Sequence, residues 1–121
     1  MQNLKYVGKN LFLERVSIRN FLKKNKTPFY IYSKNQIISN YSNFVRTFKK
    51  TNPLICFAAK SNSNTNILRI LGKLGAGADV VSGGELLKAL RAGIKPKKIV
   101  FSGVGKSEEE LKIAISKNIL L

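Results

Sequence analysis

The chain has 121 residues, of which 44% are hydrophobic, and this is enough for one modest domain with a small core. It contains no apolar run of about 20 residues, which excludes a transmembrane helix, and its first residues lack the features of a secretory signal. The single cysteine, Cys56, excludes an internal disulfide, and the absence of histidine excludes a histidine dyad or a histidine metal site. These features predict a cytoplasmic protein without a metal site.

The net charge of +16 raises the question of nucleic-acid binding. No acidic residue lies between Glu14 and Asp79, but the basic residues are scattered over predicted helix ends and loops without interleaved aromatic residues. The chain is also rich in asparagine and isoleucine, as expected when coding bias favours Lys, Asn and Ile together. We therefore interpret the charge as a biased, solvated surface and predict no nucleic-acid or membrane partner.

Residues 1–26 form a separate N-terminal segment before the first regular pattern. Within it, residues 11–14 could form a strand, and Ser17 could cap a short helix that carries Ile18, Phe21 and Leu22. We expect this segment to pack against something other than the units that follow.

From residue 27 onward, strand patterns alternate with helix patterns. The predicted strands are residues 29–32, 54–59, 78–81 and 98–101. Each precedes an amphipathic helix, and the helix-start signals are Ser33, Ser82 and Ser107, the last forming a capping box with Glu110. The helix-ending signals are Asn52-Pro53, Gly75 and Gly93.

Four βα units with short connections predict an α/β protein with a parallel sheet. Either an open doubly wound sheet or part of an eight-fold barrel would satisfy this pattern, although no G-x-G-x-x-G follows the first strand. The chain stops at residues 118–121, where a fifth strand would begin. Half a barrel would expose two sheet edges and an apolar inner face, so we expect the sequence to be cut short.

Lys60 is the first candidate functional residue, because it follows the apolar run Leu54–Ala59 and precedes the turn Ser61-Asn62-Ser63-Asn64. An amine that is partly buried at such a position loses its proton more readily and becomes a better nucleophile toward aldehydes. Pyridoxal phosphate is held by a lysine Schiff base, so Lys60 could define a site for this cofactor.

Four blocks in order resemble the N-terminal part of the diaminopimelate decarboxylases, which are pyridoxal-phosphate enzymes of fold type III (the alanine racemase-like group). These blocks are residues 27–33, 55–64, 75–86 and 98–106, and the most discriminating run is A-D-V-V-S-G-G-E-L, at residues 78–86. The resemblance implies the first half of a (β/α)8 barrel over residues 27–121, with residues 1–26 belonging to the β-domain of the whole enzyme. It also implies that Lys60 is the catalytic residue that bonds to pyridoxal 5'-phosphate.

Alternation along the strand predicts that Cys56, Ala58 and Lys60 share one face, with Ala58 small enough to admit a flat pyridine ring. In related decarboxylases, acids with the spacing of Asp79 and Glu85 lie near the cofactor and the catalytic lysine. Asp79 could instead be a solvated strand residue, and Glu85 could merely complement the dipole of its helix. Ser61 and Asn62 are expected to shape the turn rather than to contact substrate.

The reaction implied by the resemblance is decarboxylation of meso-2,6-diaminopimelate to L-lysine, the last step of lysine biosynthesis, by a homodimer. The family's phosphate-binding and substrate-binding groups lie further along its chains, so we expect the 121 residues alone to be inactive and to bind the cofactor weakly. Two alternatives stay open. One is another amino-acid decarboxylase or racemase of the same fold, and the other is a non-catalytic basic binding fragment.

Overall fold

The structure, a computed structural model, describes residues 3–121. The chain divides into two compact units, one extending to Asn43 and the other covering Phe44–Leu121. Among residues 3–121, no helix has both the length and the apolar character needed to cross a membrane. The domain boundary predicted between residues 26 and 27 refers to the whole enzyme and stays a prediction.

The first unit contains a three-stranded antiparallel sheet in the order β1-β2-β3, followed by a short helix. The elements are β1 (Leu4–Val7), β2 (Asn10–Leu13), β3 (Val16–Ser17) and α1 (Ile18–Leu22). The predicted strand and the predicted Ser17 cap are confirmed, since Ser17 Oγ accepts a hydrogen bond from the backbone N–H of Asn20 at 3.4 Å. The sequence pattern did not predict β1, whose four residues are all exposed.

Glu14 connects the turn after β2 to the start of the next helix, α2 (Lys34–Thr47). Its carboxylate accepts hydrogen bonds from the Ser33 hydroxyl and from both the backbone and the side-chain amide of Asn35. The hydrogen bond from Ser33 and then that from the Asn35 backbone lower the pKa of Glu14. Ser33 Oγ also accepts a hydrogen bond from the backbone N–H of Gln36 at 2.9 Å, which confirms the predicted cap of α2.

The prediction of a strand at residues 29–32 is wrong. This segment forms no strand, and Tyr30 is 90% exposed. Its aromatic and β-branched residues favour extended backbone, but a strand also needs a neighbour with which to exchange backbone hydrogen bonds. Tyr30 and Tyr32 instead stack on one another, with ring centroids 6.5 Å apart.

The second unit is built on a parallel sheet in the order β4-β5-β6. Its strands are β4 (Cys56–Ala58), β5 (Gly77–Val80) and β6 (Ile99–Phe101). Its helices are α3 (Thr65–Lys73), α4 (Gly83–Arg91) and α5 (Glu108–Ser116), and short 3-10 turns cover Lys49–Thr51, Ala59–Ser61 and Pro96–Lys98. The α/β class predicted from the alternating pattern is confirmed.

Leu120 forms a parallel bridge with Val100 of β6, where a further strand was predicted to begin. The backbone N–H of Phe101 donates to the carbonyl of Leu120 at 2.7 Å, and the N–H of Leu120 donates to the carbonyl of Ile99 at 3.3 Å. The strand order therefore continues past β6 in the same parallel sense, which is the arrangement that a βα repeat produces.

One face of the parallel sheet forms the core together with the helices. Val80, Ile99 and Phe101 are almost fully buried in a cluster that also includes Leu68 of α3 and Leu86 of α4. Because successive strand residues point to opposite faces, the residues between them project away from the helices. We call this second side the inner face, and its members are Cys56, Ala58, Asp79 and Val100.

Candidate active site

Lys60 lies in the 3-10 turn Ala59–Ser61, immediately after the carboxyl end of β4. Ala59 is fully buried in the core cluster, which anchors the turn, and the turn packs against β5 and α4. The strand ends at Ala58, so the alternation that predicted Cys56, Ala58 and Lys60 on one face is valid only as far as Ala58. The Lys60 backbone is placed by the turn and not by the strand.

The turn that carries Lys60 is stabilised by its own polar residues. The Ser61 hydroxyl donates to the carbonyl of Ala58 at 2.7 Å, and the side-chain oxygen of Asn62 accepts from the backbone N–H of Asn64 at 3.1 Å. Asn64 in turn caps α3. The prediction that Ser61 and Asn62 shape this turn is confirmed, because both side chains are bonded to its backbone.

The expected partial burial of Lys60 is not found, because its side chain is exposed. Within residues 3–121 its ammonium group makes no hydrogen bond or ion pair. We inferred burial of Lys60 from the apolar run before it. That run ends at Ala58–Ala59, and the Lys60 side chain extends from the following turn into solvent. The amine is therefore accessible to a ligand.

Asp79 and Ala58 are register partners on neighbouring parallel strands and lie side by side on the inner face. On the other side of Asp79, the register partner is Val100. The hydroxyl of Ser102, the residue after β6, donates a hydrogen bond to Oδ1 of Asp79. The structure thus brings Ala58, Asp79 and Ser102 together at the end of the sheet where the Lys60 turn begins.

Ser102 was not singled out from the sequence as a site residue. The sequence did indicate the face on which Ser102 lies. Ser102 follows Val100 by two residues, and strand residues two apart point to the same face of the sheet. The register between β5 and β6, which brings Val100 beside Asp79, was not available from the sequence.

Glu85 is engaged at the start of α4. Its Oε2 accepts a hydrogen bond from the backbone N–H of Val81 at 2.9 Å, and its own N–H donates to Ser82 Oγ at 3.3 Å. The carboxylate therefore holds the connection between β5 and α4. A cofactor-binding role for Glu85 stays a prediction.

Glu110 joins the loops that follow β5 and β6. It forms the predicted capping box with Ser107 and also accepts a hydrogen bond from the backbone N–H of Gly83. The backbone bonds from Ser107 and Gly83, in that order, lower the pKa of Glu110. The capping box was visible in the sequence, whereas the bond to Gly83, 27 residues away, was not.

The loop after β6 approaches the loop after β5 closely at Gly103. A Cβ atom at Gly103 would lie 2.4 Å from the carbonyl oxygen of Val81, so only glycine fits without movement. Lys106 folds back over this loop, donating to the carbonyl of Gly103 at 2.6 Å with its Nζ 5.3 Å from the centre of the Phe101 ring. The loop therefore closes on itself through the Lys106 side chain.

Cys56 occupies the inner face below this group. Its sulfur lies over Gly77, where an added Cβ would be only 2.7 Å from it. Burial, and secondarily the negative charge of Asp79, raise the pKa of the Cys56 thiol. A raised pKa keeps the thiol protonated, and a protonated thiol is a poor nucleophile.

Residues 34–121 match the family described as pyridoxal-dependent decarboxylase, pyridoxal binding domain. The chain belongs to this family. The diaminopimelate decarboxylase of Aquifex aeolicus is 45% identical over 118 residues, which cover 98% of this chain and 28% of that protein. The family membership predicted from the four sequence blocks is confirmed, and the chain spans little more than a quarter of that relative's length.

Two solved structures of related decarboxylases have the same fold over this part of the chain. A diaminopimelate decarboxylase from M. jannaschii, crystallised in complex with L-lysine, has a TM-score of 0.92 and 36% identity over 97% of this chain and 28% of its own. A lysine decarboxylase from Selenomonas ruminantium has a TM-score of 0.75 and 27% identity over 84% of this chain and 27% of its own.

The residues at the edge of the sheet fit the aldehyde end of the family's cofactor. Lys60 offers an exposed amine without a competing partner among residues 3–121, and the small Ala58 leaves space on the inner face. Asp79 adds one carboxylate beside that space. An aldehyde could bond to this amine, and an aromatic ring could then lie over the small Ala58 side chain beside the carboxylate.

Proposed function

We propose that this chain supplies the N-terminal part of a pyridoxal-phosphate-dependent enzyme that decarboxylates meso-2,6-diaminopimelate to L-lysine. The observation that carries the proposal is the position of Lys60, an accessible amine in the turn after β4 and next to the Ala58–Asp79 pair. The higher identity to a diaminopimelate decarboxylase, 45% against 27% for the lysine decarboxylase, supports this substrate over the alternative.

Each residue of the group has a distinct part in the proposal. Lys60 would hold the cofactor covalently through its Nζ, and Ala58 would leave space beside the ring. Asp79 would place a negative charge on the same face of the sheet, near the cofactor, and Glu85 would add a second carboxylate. When bound, pyridoxal phosphate supplies the electron-accepting ring that decarboxylation needs.

We extend the proposal to the architecture of the whole enzyme. The parallel order of β4, β5, β6 and the Leu120 bridge supports the first half of a (β/α)8 barrel, whose sites lie at the carboxyl ends of the strands. Three further parts of the proposal rest on the family resemblance. They are that residues 1–26 belong to a β-domain, that the whole enzyme is a homodimer, and that it acts in the cytoplasm in lysine biosynthesis.

The role of Lys60 can be tested by trapping the cofactor on the 121-residue chain. The protein is mixed with an equimolar amount of pyridoxal phosphate, reduced with borohydride and mapped by peptide mass spectrometry. We expect Lys60 to be labelled in preference to an exposed lysine such as Lys95, and Lys60→Arg to lose that label while Lys95→Arg keeps it. Equal labelling of both lysines would contradict the proposal.

The substrate can be tested in a chimera in which this chain replaces the matching segment of the A. aeolicus decarboxylase. We expect CO₂ release from meso-diaminopimelate and not from L-lysine or L-arginine, and loss of release in Lys60→Arg. The 121-residue chain alone spans 28% of that enzyme, and we expect it to release no CO₂. If the chimera released CO₂ from another amino acid instead, that amino acid would be the substrate and the proposal of meso-diaminopimelate would be wrong.

A further inference from the structure

A surface cavity of about 470 Å³ lies beside β2, β3 and α1 in the first unit. Its lining consists of three basic residues, Arg15, Arg19 and Lys23, and of four uncharged residues between Asn10 and Asn20. In the part of the chain that the structure describes, no acidic residue contributes to this lining. The volume is within the range of small-molecule sites. We call it the α1 cavity.

The half-buried residues of the α1 cavity come from two neighbouring strands. Phe12 of β2 and Ser17 of β3 are register partners in the antiparallel pair, so their side chains lie on one face of the sheet, and Asn10 follows the same alternation. Ser17 Oγ accepts a hydrogen bond from the backbone N–H of Asn20, and within residues 3–121 the hydroxyl donates to no acceptor. Hydroxyl and amide donors thus border an aromatic ring.

The three basic side chains of the α1 cavity are exposed and unpaired. Within residues 3–121, neither Arg15 nor Arg19 nor Lys23 makes a hydrogen bond or an ion pair through its side chain. The acid next to Arg15 in the chain, Glu14, is bonded to the start of α2 instead. The positive charge at the cavity is therefore not neutralised by a bonded acid.

The positive charges are also close to one another along the chain. Arg19 lies on α1 and Lys23 is the C-cap of that helix, four residues later. Like charges at this spacing repel each other and destabilise a helix. Arg15 adds a third positive charge from the connection between β2 and β3. A bound anion would offset this repulsion, because its charge attracts all three groups.

We propose that the α1 cavity binds a small anion that carries two or more negative charges on phosphate or carboxylate groups. The guanidinium groups of Arg15 and Arg19 each offer paired N–H donors whose geometry matches the oxygens of either group, and Lys23 adds a point charge. The Phe12 ring offers a contact for a carbon-containing part of the ligand. This site is independent of Lys60 and of the function proposed above.

The test titrates the 121-residue chain with pyrophosphate and, separately, with tricarballylate, which carries three carboxylates. At an ionic strength of about 0.15 M the screening length is about 8 Å, so attraction by the net charge of +16 is weak while direct contacts persist. Amide NMR shifts report where each anion binds. We expect saturable shifts confined to residues 10–23, and the anion that binds more tightly identifies phosphate or carboxylate as the ligand class.

Arg19→Gln and Lys23→Gln are each expected to weaken binding about fivefold, because each removes one direct charge contact. Lys24→Gln is the matched control, since it removes the same charge from the next residue, which does not line the α1 cavity. It should weaken binding by less than about twofold. Lys60→Arg should bind the anion normally although it loses cofactor trapping, so this proposal and the proposed function can fail separately.

Three results would overturn the proposal: no saturable binding of either anion, shifts spread over basic residues throughout the chain, or equal weakening by Lys24→Gln and Arg19→Gln. If the isolated chain gives no dispersed spectrum, the same variants are compared by calorimetric titration in the chimera with the A. aeolicus decarboxylase. There we expect Arg19→Gln, and not Lys24→Gln, to bind the anion more weakly than the unsubstituted chimera. Equal affinities of all three would refute the site.

Discussion

Ala58 of β4 and Asp79 of β5 are register partners on the face of the parallel sheet that points away from the helices. The pairing sets a small apolar side chain beside a carboxylate, directly below the turn that presents Lys60. Neighbouring strands are about 4.8 Å apart, so the two side chains border the same small volume. Any group that bonds to Lys60 and lies over the inner face would contact both.

Enlarging Ala58 should block that volume while leaving the core intact. We expect Ala58→Leu to reduce pyridoxal-phosphate trapping at Lys60 by about tenfold or more, with little change in the free energy of unfolding, because the added atoms occupy the inner face. The measurement is the yield of labelled Lys60 peptide after borohydride reduction, beside a urea titration.

Ala114→Leu is the matched control for that variant. Ala114 is fully buried on the helix side of the sheet, where added volume has no space. It should destabilise the protein by about 1–3 kcal/mol through overpacking. If Ala58→Leu destabilised the protein as much as Ala114→Leu and still trapped the cofactor normally, the assignment of Ala58 to an open inner face would be wrong.

Glu110 should make the stability of the protein depend on pH. Its folded-state pKa is lowered by the backbone N–H groups of Ser107 and Gly83, so its contribution is fully present above the unfolded-state pKa, about 4.3. The contribution is lost as pH falls from there through the lowered folded-state value. We expect Glu110→Gln to reduce the urea midpoint at pH 7 and to flatten its decline between pH 5 and pH 3.

Glu109→Gln provides the comparison, since Glu109 also lies in the first turn of α5 but is exposed and has no recorded bond to the neighbouring loop. It removes the same charge near the same helix end. An identical pH profile for the two variants would mean that the helix dipole, and not the link to Gly83, accounts for the effect.

Gly103 should tolerate no side chain. Gly103→Ala is expected to lower the free energy of unfolding by about 1–3 kcal/mol, since its Cβ would collide with the Val81 carbonyl and separate the two loops. Gly105 lies in the same loop with nothing within 4 Å of an added Cβ, so Gly105→Ala should change stability by less than about 1 kcal/mol. Urea unfolding of both variants makes the comparison, and equal effects would refute the close approach.

Cys56 should react slowly with thiol reagents at neutral pH in the folded protein. Burial is the larger cause of its raised pKa and Asp79 the smaller one. Asp79→Asn should therefore increase the rate of reaction with a disulfide reagent at pH 8 by roughly twofold, because a larger fraction of the thiol is ionised. Glu85→Gln, which removes a different acid, should leave the rate unchanged; an equal increase would show that general net charge is responsible.

Several local features were predictable because they depend on neighbours in the chain. The caps at Ser17, Ser33, Ser82 and Ser107 and the turn bonds of Ser61 and Asn62 arise from side chains that reach backbone groups two or three residues away. Short apolar runs alternating with helix patterns were enough to predict β4, β5 and β6 and the α/β class. The missing strand at residues 29–32 shows the limit, since strand formation also requires a partner that the pattern cannot specify.

The sequence alone determined that Lys60 ends a βα unit, that its turn is polar, and that the chain carries the blocks of a pyridoxal-binding family. Only the tertiary structure decided that the strand stops at Ala58, that Lys60 is exposed, and that Ser102 bonds to Asp79. The physical reason is that caps, turns and periodicity are short-range properties of the chain. Register between strands and the hydrogen bond from one strand end to the next depend on how separate βα units pack together.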